Sequence, residues 1–115
     1  MSRRVERVNS LIRNEISQLV KREIDLPRDV LITITRVETS ANLIQAKVFI
    51  SVLPEDRTES IFRLLNSRIY ELQQKFNKRV KMRPVPRLIF IKEESTKEAG
   101  RVEQLLEEVK RRRDS

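Results

Sequence analysis

The chain has no cysteine, no histidine and no tryptophan, a single glycine, and only 4% aromatic residues. Without cysteine there is neither a disulfide framework nor thiolate chemistry. Without histidine, the usual general base at neutral pH and the commonest metal ligand are both missing. One glycine, Gly100, cannot build a glycine-rich phosphate cradle, and no nucleophile-elbow or phosphate-loop spacing surrounds the serines, threonines and lysines. The adjacent acidic pairs Glu93-Glu94 and Glu107-Glu108 read as solvated carboxylates at or within secondary elements. These absences argue against an enzyme and predict no cofactor, no metal ion and no small-molecule substrate. Scarce aromatics also argue against a surface dominated by base stacking, and leave Tyr70 and Phe49 as the aromatic positions to follow. No apolar run approaches the roughly 20 residues of a membrane span, and no apolar signal core follows Arg3 and Arg4. A cytoplasmic protein without membrane association is expected.

What the chain has is charge and periodic apolar sequence. Of its 115 residues 37% are charged, yet 38% are hydrophobic, and the periodicity of the latter argues for a fold rather than disorder. That length suits one domain with a modest core. Lysine and arginine outnumber the acids 25 to 17, for a formal net charge of +8, which points to a polyanionic partner: RNA, DNA or an anionic surface.

The organising stretch is residues 30–53. In its second half Ile44, Ala46, Val48, Ile50 and Val52 alternate with Gln45, Lys47, Phe49 and Ser51, the period of a half-buried strand. Its first half, residues 31–37, is rich in β-branched residues that suit a pleated surface. Thr39, Ser40, Ala41 and Asn42 between them predict a turn. An antiparallel hairpin with one apolar face needs covering, and the flanks supply the cover. Val5, Val8, Leu11, Ile12, Ile16, Leu19, Val20 and Ile24 recur at helical spacing and predict an amphipathic helix over residues 3–24. Asp56 and Glu59 predict a capping box opening a second helical segment. Its stripe of Phe62, Leu65, Ile69, Leu72 and Phe76 runs to about residue 80. Asn66 and Ser67 are the expected break if that segment is two helices rather than one. Residues 87–92 read as a third strand after Pro84 and Pro86. Ser95 and Glu98 form a second capping box before a last helix carrying Val102, Leu105, Leu106 and Val109. One domain over residues 1–110 is expected, with a basic tail at 111–115 that frays. The order α-β-β-α(-α)-β-α gives an α+β fold with a three-stranded sheet and helices mainly on one face, the order used by type II KH domains.

The strongest local signal is basic. Lys75, Lys78, Arg79, Lys81, Arg83 and Arg87 fall within residues 75–87 without one acidic residue among them. A helix C-terminus favours two or three cations, but six call for another reason. Phosphate contacts through counterion release supply it. Arg3, Arg4 and Arg7 on the first helix form a secondary candidate cluster. The apolar stripe of the central segment is near heptad spacing, so a helix-mediated protein-interaction domain is one alternative, and a general KH-type RNA-binding module is another.

Laid out in order, the residues resemble the ribosome-binding factor A family. The resemblance rests on Arg4, Arg7 and Val8 opening the first helix and on Pro27-Arg28. In the hairpin it rests on Val37, Ser40, Asn42-Leu43, Ala46-Lys47-Val48 and Ser51-Val52-Leu53. It closes on Arg83, Pro86, Phe90, Glu93-Glu94-Ser95 and Gly100. It implies a non-catalytic factor that binds the free 30S ribosomal subunit through 16S rRNA late in assembly, assists processing of the 5′ end of that RNA, and acts as a monomer. The sequence departs from the family at Leu26 and Asn42, where the family has Asp, and at Arg68-Ile69-Tyr70, where it has an Ala-x-Gly kink. The last departure argues against phosphate clamping of the GxxG type, leaves binding to side-chain cations, and would mark a divergent member.

Overall fold

The computed structural model describes residues 3–94. The expected last helix, its capping box, Gly100 and the basic tail lie outside the described residues. Helix α1 (Arg3–Glu23) is followed by strands β1 (Leu31–Thr39) and β2 (Gln45–Leu53), helices α2 (Thr58–Ser67) and α3 (Ile69–Arg79), and strand β3 (Arg87–Lys92). The sheet order is β1-β2-β3. β1 and β2 pair antiparallel, from Leu31 opposite Leu53 to Thr39 opposite Ala46. β3 lies parallel to β2, with Gln45 opposite Arg87 and Ile50 opposite Lys92. A parallel neighbour requires a long crossover, and α2 and α3 provide it.

The predicted alternation survives in β2: Ala46, Val48, Ile50 and Val52 are all buried in one core cluster with Ile12, Ile16, Leu19, Leu65, Leu72, Phe76, Leu88 and Phe90. The three α-helices among the described residues therefore cover the same face of the sheet. Phe62 and Ile69 pack against that cluster too, so the central stripe is core and not a free seam for a partner helix. Each large side chain so buried is worth about 1.5–3 kcal/mol of transfer free energy.

Four local expectations need correction. The turn occupies Ser40 to Ile44 rather than starting at Thr39. Ser40 N–H donates to the Gln45 carbonyl at 2.8 Å, and the Asn42 carboxamide oxygen accepts from Ile44 N–H at 3.2 Å. This leaves Ile44 exposed, outside the apolar row, and holds buried Leu43 at φ 61°, a region that disfavours residues with a Cβ. Thr39 instead ends β1, where the Asn9 Oδ1 accepts from its N–H at 2.9 Å and its hydroxyl at 2.6 Å.

Second, Asp56 does not cap α2. Residues Glu55–Arg57 form a 3₁₀ turn, and the extended residue before it is Pro54. Asp56 is thus already inside a helical turn, whereas a capping residue must be extended. Third, the break between α2 and α3 falls at Arg68 (φ −111°, ψ 7°), one residue past the expected pair. The Ser67 hydroxyl donates back to the Leu64 carbonyl at 2.6 Å, and this competition with the helix ladder ends α2. Fourth, Glu93 is not a solvated carboxylate: its side chain is only 8% exposed and lies 3.0 Å from Arg36. Phe49, on the sheet face opposite the core row, is buried as well. A bulge in β1 between Ile34 and Arg36 sets Arg36 over its ring, 3.8 Å from the centroid.

Candidate nucleic-acid interface

The basic segment begins on α3. One face of that helix buries Leu72 and Phe76, and the adjoining flank carries Lys75 and Arg79 toward α1. Lys75 Nζ lies 2.6 Å from a Glu23 carboxylate oxygen, and Arg79 Nε lies 2.6 Å from Glu15, with its Nη2 donating to the Gln18 side chain at 3.2 Å. The hydrogen bond from Lys75 holds the Glu23 carboxyl below its ordinary range; burial opposes this, and the fields of Lys75, Arg22 and Arg68 add to it. Stepping forward along α3 moves the partner backward along α1, so the two helices run antiparallel. Lys78, on the outer side of the helix away from Leu72 and Phe76, is exposed.

Residues 80–86 leave α3 as an irregular segment, bent at residues 83–84, whose alternation sorts charge from core. Val80 and Pro86 are buried, and Met82 and Val85 pack against the core cluster. Between these anchors Lys81, Arg83 and Arg87 are exposed. The segment is fixed at its end by Gln73, whose carboxamide oxygen accepts from Leu88 N–H at 2.8 Å and whose nitrogen donates to the Pro86 carbonyl at 3.2 Å. Arg87 N–H then donates to the Ile44 carbonyl at 2.8 Å, docking the start of β3 on the hairpin turn.

The same end of the domain receives the first turns of α1. Asn9 is bonded to Thr39 at the end of β1, and Arg79 reaches Glu15, so Arg3, Arg4 and Arg7 extend past both toward the turn side. Arg3, Glu6, Arg7 and Ser10 line an open, shallow groove there. Arginines at a helix N-terminus oppose the macrodipole, so helix stability does not account for them. Lys47, exposed on β2 beside this end, was not among the expected residues; its only signal in the sequence was the polar phase of the strand. Among the described residues, Arg3, Arg4, Arg7, Lys78, Lys81, Arg83 and Arg87 form no ion pair. The arrangement is a pole of unpaired cations, with Lys75 and Arg79 set apart by their glutamates. The described residues include no group of three or more carboxylates, His or Cys placed to hold a metal, and no helix long and apolar enough to cross a membrane.

A family model for ribosome-binding factor A matches residues 4–106. The chain belongs to the ribosome-binding factor A family. Proteins named ribosome-binding factor A from Pseudomonas fluorescens and Desulforamulus reducens are 36% and 37% identical to it. The matches cover 90% and 95% of this chain and 80% and 92% of theirs. The crystal structure of ribosome-binding factor A from Thermus thermophilus superimposes with a TM-score of 0.66 over 76% of this chain and 93% of that one, at 23% identity. A solution structure of a Thermotoga maritima protein gives 0.67 over 84% and 93%, at 24% identity. The α+β fold is thus that of the ribosome-binding factor A structures. In this member of the family the central helices break at Arg68, which is bonded to Glu71 at 2.7 Å.

Proposed function

We propose that this chain binds the free 30S ribosomal subunit through 16S rRNA and assists its late maturation, including processing of the 5′ end of that RNA. The observation that carries the reading is the pole of unpaired cations at one end of the domain. Lys81, Arg83 and Arg87, presented by an anchored segment between α3 and β3, make the principal phosphate contacts, joined by Lys78 and by Arg3, Arg4 and Arg7. Lys75 and Arg79, held by Glu23 and Glu15, fix α3 on α1 and so position the segment. Action is non-catalytic. The factor works as a cytoplasmic monomer that favours one RNA conformation by binding it more tightly than its alternatives, and it can shift that equilibrium only by the difference in affinity.

Co-sedimentation with free small subunits, large subunits and joined ribosomes, at low and moderate salt, tests the proposal. Binding confined to free small subunits and persisting at moderate salt is expected. Equal binding to all three that disappears with salt is the signature of counterion release alone. It would reduce the chain to a basic RNA-adhesive module and overturn the proposal.

A further inference from the structure

The one tyrosine of the chain stands outside the core cluster of the described residues. Tyr70 is 74% exposed, the most exposed large hydrophobic side chain among the described residues. It stands in the first turn of α3, two positions past the break at Arg68. At 100° per residue it lies on the side of α3 opposite Leu72 and Phe76, and Gln74 and Lys78 follow it at four-residue spacing on the same line. All three are exposed. The ridge is about 12 Å long from Tyr70 to Lys78 at 1.5 Å per residue, and beyond it the chain continues into Lys81 and Arg83. No acidic residue occurs from Leu72 to Lys92, and the one acid beside Tyr70, Glu71, is engaged by Arg68.

An exposed aromatic face, a carboxamide that can both donate and accept, and a lysine in line are the parts a single strand of RNA requires: a stacking platform, a base-edge partner and a phosphate contact. We infer that Tyr70 stacks an unpaired base of single-stranded RNA, with Gln74 beside the base edge and Lys78 on the flanking phosphate. The outer ridge of α3 thereby extends the cationic pole into a track for single-stranded RNA. This rests on the RNA-binding reading above and adds to it a contact made with a base rather than with phosphate.

Because the chain has one tyrosine and no tryptophan, its intrinsic fluorescence reports on this position alone. Short single-stranded oligoadenylate and inorganic polyphosphate are titrated into the full chain, the latter presenting phosphate charge without bases. Oligoadenylate is expected to quench Tyr70 on binding, and polyphosphate to bind without quenching. With labelled oligoadenylate, Tyr70→Ala is expected to bind about five- to a hundredfold more weakly, Tyr70→Phe about as well as the wild type, and both variants to keep wild-type affinity for polyphosphate. Oligoadenylate that binds without quenching, or whose affinity Tyr70→Ala leaves unchanged, overturns the stacking inference and leaves the cationic pole intact. A wild-type chain that binds neither probe removes the RNA-binding reading and the inference with it. Since Tyr70 is exposed, the alanine variant folds, and a changed urea midpoint would itself contradict the placement.

Discussion

Arg36 is the side chain whose removal the structure makes most informative. The β1 bulge places it between three partners on the sheet face opposite the core: the ring of Phe49, the carboxylate of Glu38, and the carboxylate of Glu93 at 3.0 Å. Glu93 also accepts from the Thr35 hydroxyl at 2.8 Å, and its side chain is only 8% exposed. Arg36→Ala strands a carboxylate that is nearly out of water and uncovers an aromatic ring. Losing a hydrogen bond to a charged group costs about 1.5–3 kcal/mol and a cation over a ring about 0.5–1 kcal/mol. Arg36 is itself partly exposed, so solvent screening argues for a total near the lower end, about 2 kcal/mol. At about 4–8 °C per kcal/mol for a small domain, the melting temperature should fall by about 8–16 °C.

Acidity supplies the sharper test of the same pair. Hydrogen bonding by Arg36, aided by Thr35 and opposed by burial, holds the Glu93 carboxyl below its ordinary value of 4.5. A carboxylate lowered in the folded state contributes stability that is complete above its unfolded pKa and is lost as pH falls through the folded one. In Arg36→Ala, burial acts on Glu93 without its counter-cation and pushes the carboxyl upward, so the variant gains relative to the wild type on acidification. Urea denaturation of wild type, Arg36→Ala, Glu93→Gln and the double variant, from neutral to about pH 3, measures both effects. The double variant should be less destabilised than the sum of the singles by about 1 kcal/mol or more, and the gap between wild type and Arg36→Ala should close below the ordinary carboxylate pKa. Additivity within about 0.5 kcal/mol, together with a gap independent of pH, would refute the reasoning.

Other substitutions probe the supports of the interface. Asn9→Ala removes the acceptor of both Thr39 bonds and should lower stability by about 1–3 kcal/mol in urea, freeing the first turns of α1 from the sheet. Gln73→Ala leaves the buried Leu88 N–H without its acceptor, and amide hydrogen exchange at Leu88 should accelerate before any change at Ile50. Phe76→Ala, at a side chain with no exposure, should cost about 3–5 kcal/mol by calorimetry, the largest loss of the set. Lys75→Gln should let the Glu23 carboxyl titrate closer to its ordinary range by NMR, while the urea midpoint changes little because the pair is partly exposed to solvent.

The sequence revealed most where a period coincided with a face. The β2 alternation, the α1 stripe and the central stripe all appear in one core, because burial of a face is what those periods encode. It misled where side chains compete with the backbone for hydrogen bonds. Ser67 moves the helix break to Arg68, and Ser40 and Asn42 pull the turn away from Thr39. The bulge at Thr35 was hidden for a related reason. Ile34 and Val37 are three residues apart yet both face the core, and in a run of β-branched residues nothing marks the extra one.

For the site, composition located the cations but could not divide them. Lys75 and Arg79 look like Lys81 and Arg83 in the sequence, and only the antiparallel packing of α3 on α1 brings Glu23 and Glu15 to the first pair. The alternation of Val80, Met82, Val85 and Pro86 with the remaining cations was readable, but it lay within a stretch dominated by its charge. Likewise, the convergence of Arg3, Arg4 and Arg7 on the turn side depends on the Asn9–Thr39 contact, across 30 residues of sequence.

The central claim is that binding runs through the unpaired cations at one end and not through the paired ones. Its most direct test is the salt dependence of affinity for free small subunits, compared between Lys81→Gln/Arg83→Gln/Arg87→Gln and Lys75→Gln/Arg79→Gln. The first set should weaken binding strongly and flatten the plot of log affinity against log salt by about 0.7–0.9 for every phosphate no longer neutralised. The second should leave the slope as it is in the wild type. Equal slopes for the two sets, or a larger change for the paired residues, would contradict the account.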